Sequence, residues 1–297
     1  MSSDAPDRPV VVAVDGSAGG DHALEWALTA ARLRRAPLRI VHVRQYAMPS
    51  ADGPYLPPVD HSPDADPVTE RVRAALEGRP ELPPLTIEVV DGAPGPDIPR
   101  LGDEARLLVV GSRGRGGFVS LLLGSNGLAC ARDAACPVVV VRPDDERTES
   151  AEPSVVLGLD ALSPHEDTIG LAFAEAALRG AKLRAVCACP GPVLAYTATG
   201  DFVTSAEADE ASVAQYAKLA AEQLAPFKER YPKVNVEQEI LSGDAAALLV
   251  EASRDADLVV VGRHRNRRLL GRLLGSVTNA VLLHAQGAVA VVPPESR

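Results

Sequence analysis

The chain has 297 residues, 46% of them hydrophobic and 24% charged, with a formal net charge of −10. That length has room for two domains, and the composition excludes a disordered chain. The acidic balance excludes an extended nucleic-acid surface, which draws on clustered Lys and Arg. Aromatic residues make up only 3%, so the core has to be built from Val, Leu, Ile and Ala. Such a core suits buried parallel strands covered by Ala-rich helices.

The opening residues carry no basic segment leading into an apolar run. No apolar stretch approaches the ~20 residues that span a bilayer. The expectation is a cytoplasmic chain with no membrane partner. Cys130, Cys136, Cys187 and Cys189 form no CxxC pair and lack the His spacing of a zinc site. They read as small buried residues of a reducing compartment.

In chain order, VVVAV (Val10–Val14) is a short β-branched run ending at Asp15. A helical segment follows around Asp21–Arg35, where Leu24, Ala27, Leu28 and Ala31 recur at steps of three and four. LRIVHV, ending at Val43, is a second strand. Arg44–Pro67 carries Pro49, Pro54, Pro57, Pro58, Pro63 and Pro67 and reads as an irregular loop, either a lid or a surface excursion. Val68–Glu77 reads as a helix, and Pro96–Glu104 and Leu128–Ala135 as shorter helical turns. LTIEVV, LLVVG and PVVVVR are three further strands. Strand–helix alternation of this kind implies a parallel sheet with helices on both faces and right-handed crossovers.

The pattern then occurs again. Asp15 falls on Asp160, Ala27 on Ala172, Leu33 on Leu178 and Leu38 on Leu183. Further along, Gly111 falls on Gly262, and Gly124–Ser125 on Gly275–Ser276, with the length difference confined to the middle of each half. The second half also has a longer helix around Ala206–Arg230. The expected boundaries are a first domain over 1–143, a linker over 144–154 and a second domain over 155–297. The polar, Pro-bounded stretch at the junction has the composition of an inter-domain segment.

The stretch GSRGRGGFVSLLLGSNG (Gly111–Gly127) carries the chemistry. It is not a Walker loop, because no Lys follows its glycines. It does not follow the first strand, where a dinucleotide fingerprint would lie. What remains is G-x-x-G at Gly111 and Gly114, nine residues, then Gly124–Ser125. Gly111 directly ends a strand, and Ser125 or Asn126 is expected to cap the next helix. Free glycine backbone beside a helix N-terminus favours an anion. Asp15 ends a strand at the same edge of the sheet. If the first and fourth strands are neighbours, both face one crevice.

These features resemble the universal stress protein family in its tandem two-domain form. The resemblance rests on VAVDGS, the HV that ends the second strand, GSRGRGGFVSLLLGSN and CPVVVVR. It implies an α/β fold of two tandem Rossmann-like domains, each a five-stranded parallel sheet of order 3-2-1-4-5 flanked by helices. It also implies ATP as ligand, with Mg2+ as the accompanying ion, and a role in stress response. Carried onto this sequence, Asp15 and Val43 contact the adenine, and Val110 and Gly111 line the nucleoside. Arg113, Gly114, Gly124, Ser125 and Asn126 hold the phosphates. The two last strands are expected to pair within the chain as a pseudo-dimer, or between chains in a homodimer.

The second half departs from this pattern. Asp160, Gly262, Gly275 and Ser276 keep their places, but Arg265 stands where Gly114 would be, Ala188 replaces Val43 and Leu162 replaces Ser17. If the glycine position needs a positive φ or a close backbone approach, a side chain there costs about 1 kcal/mol or more. Arg265 or Arg263 could instead pair with phosphate directly.

Each of these residues also has a plainer role: Asp15 as a helix cap, Arg113 as a solvated loop charge, His42 and Trp26 as packing residues. A Ser17–His42–Asp15 triad is conceivable. The basic run RHRNRRLLGR is explained by a loop beside a phosphate site, with no nucleic-acid partner. Two other functions stay open: a slow ATPase or other nucleotide-dependent enzyme, and a nucleotide-free dimerising interaction protein.

Overall fold

A computed structural model describes residues 8–45, 66–114, 123–142, 152–190, 194–196, 202–204, 206–263 and 274–294. The proline-rich stretch 46–65, most of the linker, and Arg265 lie outside the described residues. The chain divides into two compact units, Met1–Pro143 and Asp144–Arg297.

The first unit runs β1 (Val10–Ala13), α1 (Ala18–Arg34), β2 (Leu38–Arg44), α2 (Pro67–Leu76), β3 (Leu85–Asp91), α3 (Pro94–Arg100), β4 (Leu107–Gly111), α4 (Ser125–Asp133) and β5 (Val138–Val141). A single 3-10 turn, Leu101–Asp103, extends α3. The strands lie in the order β3-β2-β1-β4-β5 and all pairs are parallel. One row of partners crosses this sheet as Ile87, Ile40, Val12, Val109 and Val139.

The second unit repeats the frame with β6 (Ser154–Gly158), α5 (Glu166–Arg179), β7 (Lys182–Cys189), α6 (Ala206–Arg230), β10 (Val236–Ser242), α7 (Ala245–Ala252), β11 (Leu258–Gly262), α8 (Ser276–His284) and β12 (Ala288–Val292). Its order is β10-β7-β6-β11-β12, again parallel. The same row now reads Gln238, Ala185, Leu157, Val260 and Ala290. Between β7 and α6 lies an antiparallel pair, β8 (Leu194–Tyr196) and β9 (Phe202–Thr204), which periodicity did not reveal. At three residues each, these strands are too short to print a pattern.

The inner strands are hydrophobic throughout because helices cover both faces. Val10, Val11, Val12, Leu108 and Val109 are wholly buried, as are Val155, Val156, Leu157, Val259 and Val260. Each such side chain contributes about 1.5–3 kcal/mol of transfer free energy. Among the described residues the core has one buried aromatic side chain: Phe173 of α5 stacks on Phe227 of α6, ring centroids 5.6 Å apart, with Tyr231 alongside at 5.9 Å. All four cysteines are buried and reduced. Burial pushes the Cys130 and Cys136 thiols up to about 12, so they pack as neutral side chains.

α1 and α5 end alike, in a left-handed residue whose N–H returns to the last turn. In α5 that residue is Gly180 at φ 60°, whereas in α1 it is Arg35 at φ 50°. A Cβ is unfavourable in that conformation, and glycine carries none. Arg35→Gly is therefore expected to stabilise the protein by about 0.5–1 kcal/mol, read as a rise in the denaturation midpoint. An unchanged or lower midpoint would contradict this.

Candidate functional site

The strand order reverses between β1 and β4. Segments leaving the carboxyl ends of these two strands diverge to opposite sides and open a crevice between them. Ala13 pairs with Val110, so Asp15 and Gly111 emerge side by side.

The loop after β1 folds on its own aspartate. Asp15 Oδ1 accepts the Ser17 N–H at 3.0 Å and the Ser17 hydroxyl at 2.5 Å. Ser17, not Asp15, is the N-cap of α1, its Oγ accepting the Gly20 N–H at 3.1 Å. Gly16 makes the bend at φ 74°.

Across the crevice the backbone comes too close for side chains. A Cβ on Gly111 would lie 2.5 Å from the Gly19 carbonyl oxygen, and one on Gly19 would collide with the Arg113 carbonyl. A Cβ on Gly114 would lie 2.6 Å from Asp15 Oδ2, and one on Gly20 would lie 2.9 Å from Oδ1. Gly114 is not among the positive-φ residues. Its requirement for glycine is therefore steric: any side chain there displaces the Asp15 carboxylate.

The glycine loop is closed at its base. Gly124 N–H donates to the Ser112 carbonyl at 2.7 Å, and Ser112 N–H to Val141 at 2.8 Å. Gly124 is itself the N-cap of α4, which corrects the expectation that Ser125 or Asn126 caps this helix; both are first-turn residues and exposed. A glycine cap has no side-chain oxygen to offer. Among the described residues no side chain caps that first turn, whose N–H groups suit an anion.

Positive charge gathers at the same edge. Arg142, just beyond β5, has its guanidinium pKa lowered by burial and then by the charge of Arg113. The Ser112–Val141 bond brings the residues that follow each, Arg113 and Arg142, to one edge of the sheet, where positive charge favours an anion. Val43 and Val110, the expected nucleoside contacts, are buried at the ends of β2 and β4. The structure thus brings Asp15, Gly111, Arg113, Gly114 and Gly124 together. It adds Ser17 and Arg142, which lie in the VAVDGS and CPVVVVR motifs but were given no ligand role, and Gly19 and Gly20, which sequence reasoning did not single out.

His42 pairs with Asp66, while the Ser17 hydroxyl donates to Asp15. The imidazole Nδ1 is 3.0 Å from both oxygens of Asp66, so the conceivable triad does not form. Asp66 is buried and is the N-cap of α2, accepting the Val68 and Thr69 N–H groups at 3.1 and 3.0 Å. Burial alone would raise its pKa. The Thr69 N–H, the His42 ring and the Val68 N–H outweigh burial and leave it lowered.

The second half builds its crevice differently. Asp160 Oδ1 accepts the Leu162 and Ser163 N–H groups at 3.0 and 3.1 Å. Pro164 and His165 stand where Gly19 and Gly20 stand in the first half, and α5 starts only at Glu166. His165 Nδ1 lies 3.1 Å from Thr168 Oγ1, and a Cβ on Gly262 would meet that oxygen at 3.0 Å. Thr278, which falls on Gly127, donates its hydroxyl to the Gly262 carbonyl at 2.8 Å. Gly275 caps α8 as Gly124 caps α4, with Ser276 first in the helix. Among the described residues, no group of three or more His, Cys, Asp or Glu side chains could hold a metal, and no helix is long and apolar enough to cross a membrane.

Comparison with known proteins shows the family and the fold. The model of the "Universal stress protein family" matches residues 8–142 and 153–293. Universal stress protein Rv2005c of Mycobacterium tuberculosis is 36% identical over 309 residues, with all of both chains covered. A universal stress protein from Archaeoglobus fulgidus has the same fold at 17% identity and a TM-score of 0.65, covering 96% of this chain and 98% of its own. A universal stress protein solved in complex with cAMP covers 49% of this chain and 100% of its own, at 24% identity and a TM-score of 0.34.

Two outcomes follow from the contacts. Gly111→Ala drives a Cβ into backbone that is fixed on both sides, and should cost about 2–3 kcal/mol in chemical denaturation; a neutral result would mean that the crevice can open. Asp66→Ala removes a cap and should cost about 1–2 kcal/mol at neutral pH. Because the folded-state pKa of Asp66 lies below its ordinary value of 3.8, its contribution is full above that pH. The wild-type advantage should therefore shrink as pH falls below about 4. A pH-independent difference would contradict the assigned role.

Proposed function

We propose that this chain, which belongs to the universal stress protein family and carries the family's domain twice, binds an adenine nucleotide in the crevice of its first half and acts as a regulatory module. The ligand is ATP, with Mg2+ carried on its phosphates. Asp15 and Val43 take the adenine, and Val110 and Gly111 line the nucleoside. Arg113, Gly114, Gly124, Ser125 and Asn126 take the phosphates, with Arg142 adding charge. Asp160, Gly262, Arg265, Gly275 and Ser276 form a second, weaker site.

The single observation that supports this most is the joint placement of Asp15 and Gly114. A carboxylate and a side-chain-free backbone share one wall of the crevice, with a helix N-terminus capped by glycine and the arginines Arg113 and Arg142 beyond it. That sequence of groups runs from a hydrogen-bond acceptor to an anion-binding end, matching a nucleotide read from base to phosphate. Bound nucleotide would act by stabilising one conformation over another, which suits a regulatory role.

Equilibrium dialysis of the intact protein with ATP tests this. The expected result is one tight equivalent per chain, weakened at least about tenfold by Gly114→Glu, which displaces Asp15 and adds negative charge at the phosphate end. No binding by the wild type, or equal binding by the variant, would overturn the assignment. Running cAMP in parallel reports whether the triphosphate is needed.

A further inference from the structure

One contact recurs in both halves although different side chains make it. In the first half, Arg71 of α2 donates from Nη1 to the Gly16 carbonyl at 2.9 Å, and its Nη2 pairs with Asp21. In the second half, Gln223 of α6 donates from Nε2 to the Ala161 carbonyl at 2.7 Å. Gly16 and Ala161 are equivalent positions: each directly follows the aspartate that ends its half's first strand, Asp15 or Asp160.

The carbonyl is open to such a partner. Gly16 has φ 74°, and the first ladder bond of α1 uses the Ser17 carbonyl, so the Gly16 carbonyl lies outside the helix. The helix that supplies Arg71 is itself braced. Asp66 and His42 hold the N-terminus of α2, and Arg79, beyond its C-terminus, pairs with Glu25 of α1 at 2.7 and 2.9 Å. A chance surface contact has no reason to recur with an unrelated side chain. Recurrence at one carbonyl points to a requirement of the loop.

We infer that Arg71 and Gln223 are positioning residues, each latching the loop that carries the strand-end aspartate. For the first half this rests on the nucleotide assignment, since Asp15 is the group being placed. The exposed Arg71–Asp21 pair by itself contributes little. The charge-assisted bond to a backbone carbonyl is stronger, and a loop ordered in advance lowers the cost of ordering it on binding. The latch acts at the nucleoside end. It therefore sets affinity for adenosine and ATP alike, whereas the phosphate-end residues separate the two.

The test uses the full chain, titrated with adenosine and with ATP. Arg71→Ala should weaken both by a common factor of about five to ten, with an unchanged melting temperature. Arg71→Lys should recover part of that loss, and Asp21→Asn, which keeps the carbonyl bond, should stay within about twofold of wild type. Hydrogen exchange without ligand supplies an independent readout: the Ser17 amide should exchange faster in Arg71→Ala, and the Leu162 amide faster in Gln223→Ala. Unchanged exchange at both amides overturns the latch, as does a loss of ATP affinity with none for adenosine. A wild type that binds neither ligand, with the exchange differences intact, overturns the nucleotide assignment and leaves the latch standing.

Discussion

In the first half, two stretches of backbone meet over one carboxylate. Asp15 Oδ1 is held by the Ser17 N–H and hydroxyl, while Oδ2 occupies the space where a side chain at position 114 would be. Gly111 lies against the Gly19 backbone and Gly19 against the Arg113 carbonyl, so neither has room for a Cβ. The cause is topological. β1 and β4 are adjacent, but the chain leaves them in opposite directions, so the segments that close the crevice must return over each other. Each glycine in the motif therefore answers to a particular atom: Gly111 to the Gly19 carbonyl, Gly114 to Asp15, and Gly124 to Ser112.

The second half works as an internal control on that constraint. Its sheet has the same order, and the central rows of the two sheets match position by position. Yet its first helix starts later, after Pro164 and His165, and the hydroxyls of Thr168 and Thr278 lie against Gly262 where the first half has glycine backbone. The sheet survives because its stability is spread over many buried Val, Leu and Ala side chains, each contributing a small part. The crevice depends on single atoms, so a few substitutions rebuild it. The bond to the carbonyl after the strand-end aspartate is made in both halves, by different side chains.

Most of the fold could be read in advance. Inner strands such as VVVAV and LLVVG are uniformly apolar because both their faces are covered, and α1 shows its buried stripe at helical spacing. Doubling of the chain was visible through Asp15 and Asp160. Details that depended on local competition were harder. Ser125 and Asn126 have good capping side chains, but Gly124 takes the cap because its N–H is bound to Ser112 and places it at the turn. Gly114 was open to a requirement for positive φ, and the actual reason, Asp15, lies almost a hundred residues away in the chain.

The sequence by itself determined the class of fold, the repeat, the strand cores and the place of the glycine motif at the end of a strand. All of these follow from periodicity and from residues close together in the chain. Tertiary structure alone decided which atoms crowd each glycine, that Arg142 joins Arg113, that His42 serves Asp66, and that Arg71 and Gln223 reach equivalent carbonyls. Those pairings join residues far apart in the chain through long side chains. Their partners are set by how helices settle on the sheet, which no local pattern encodes.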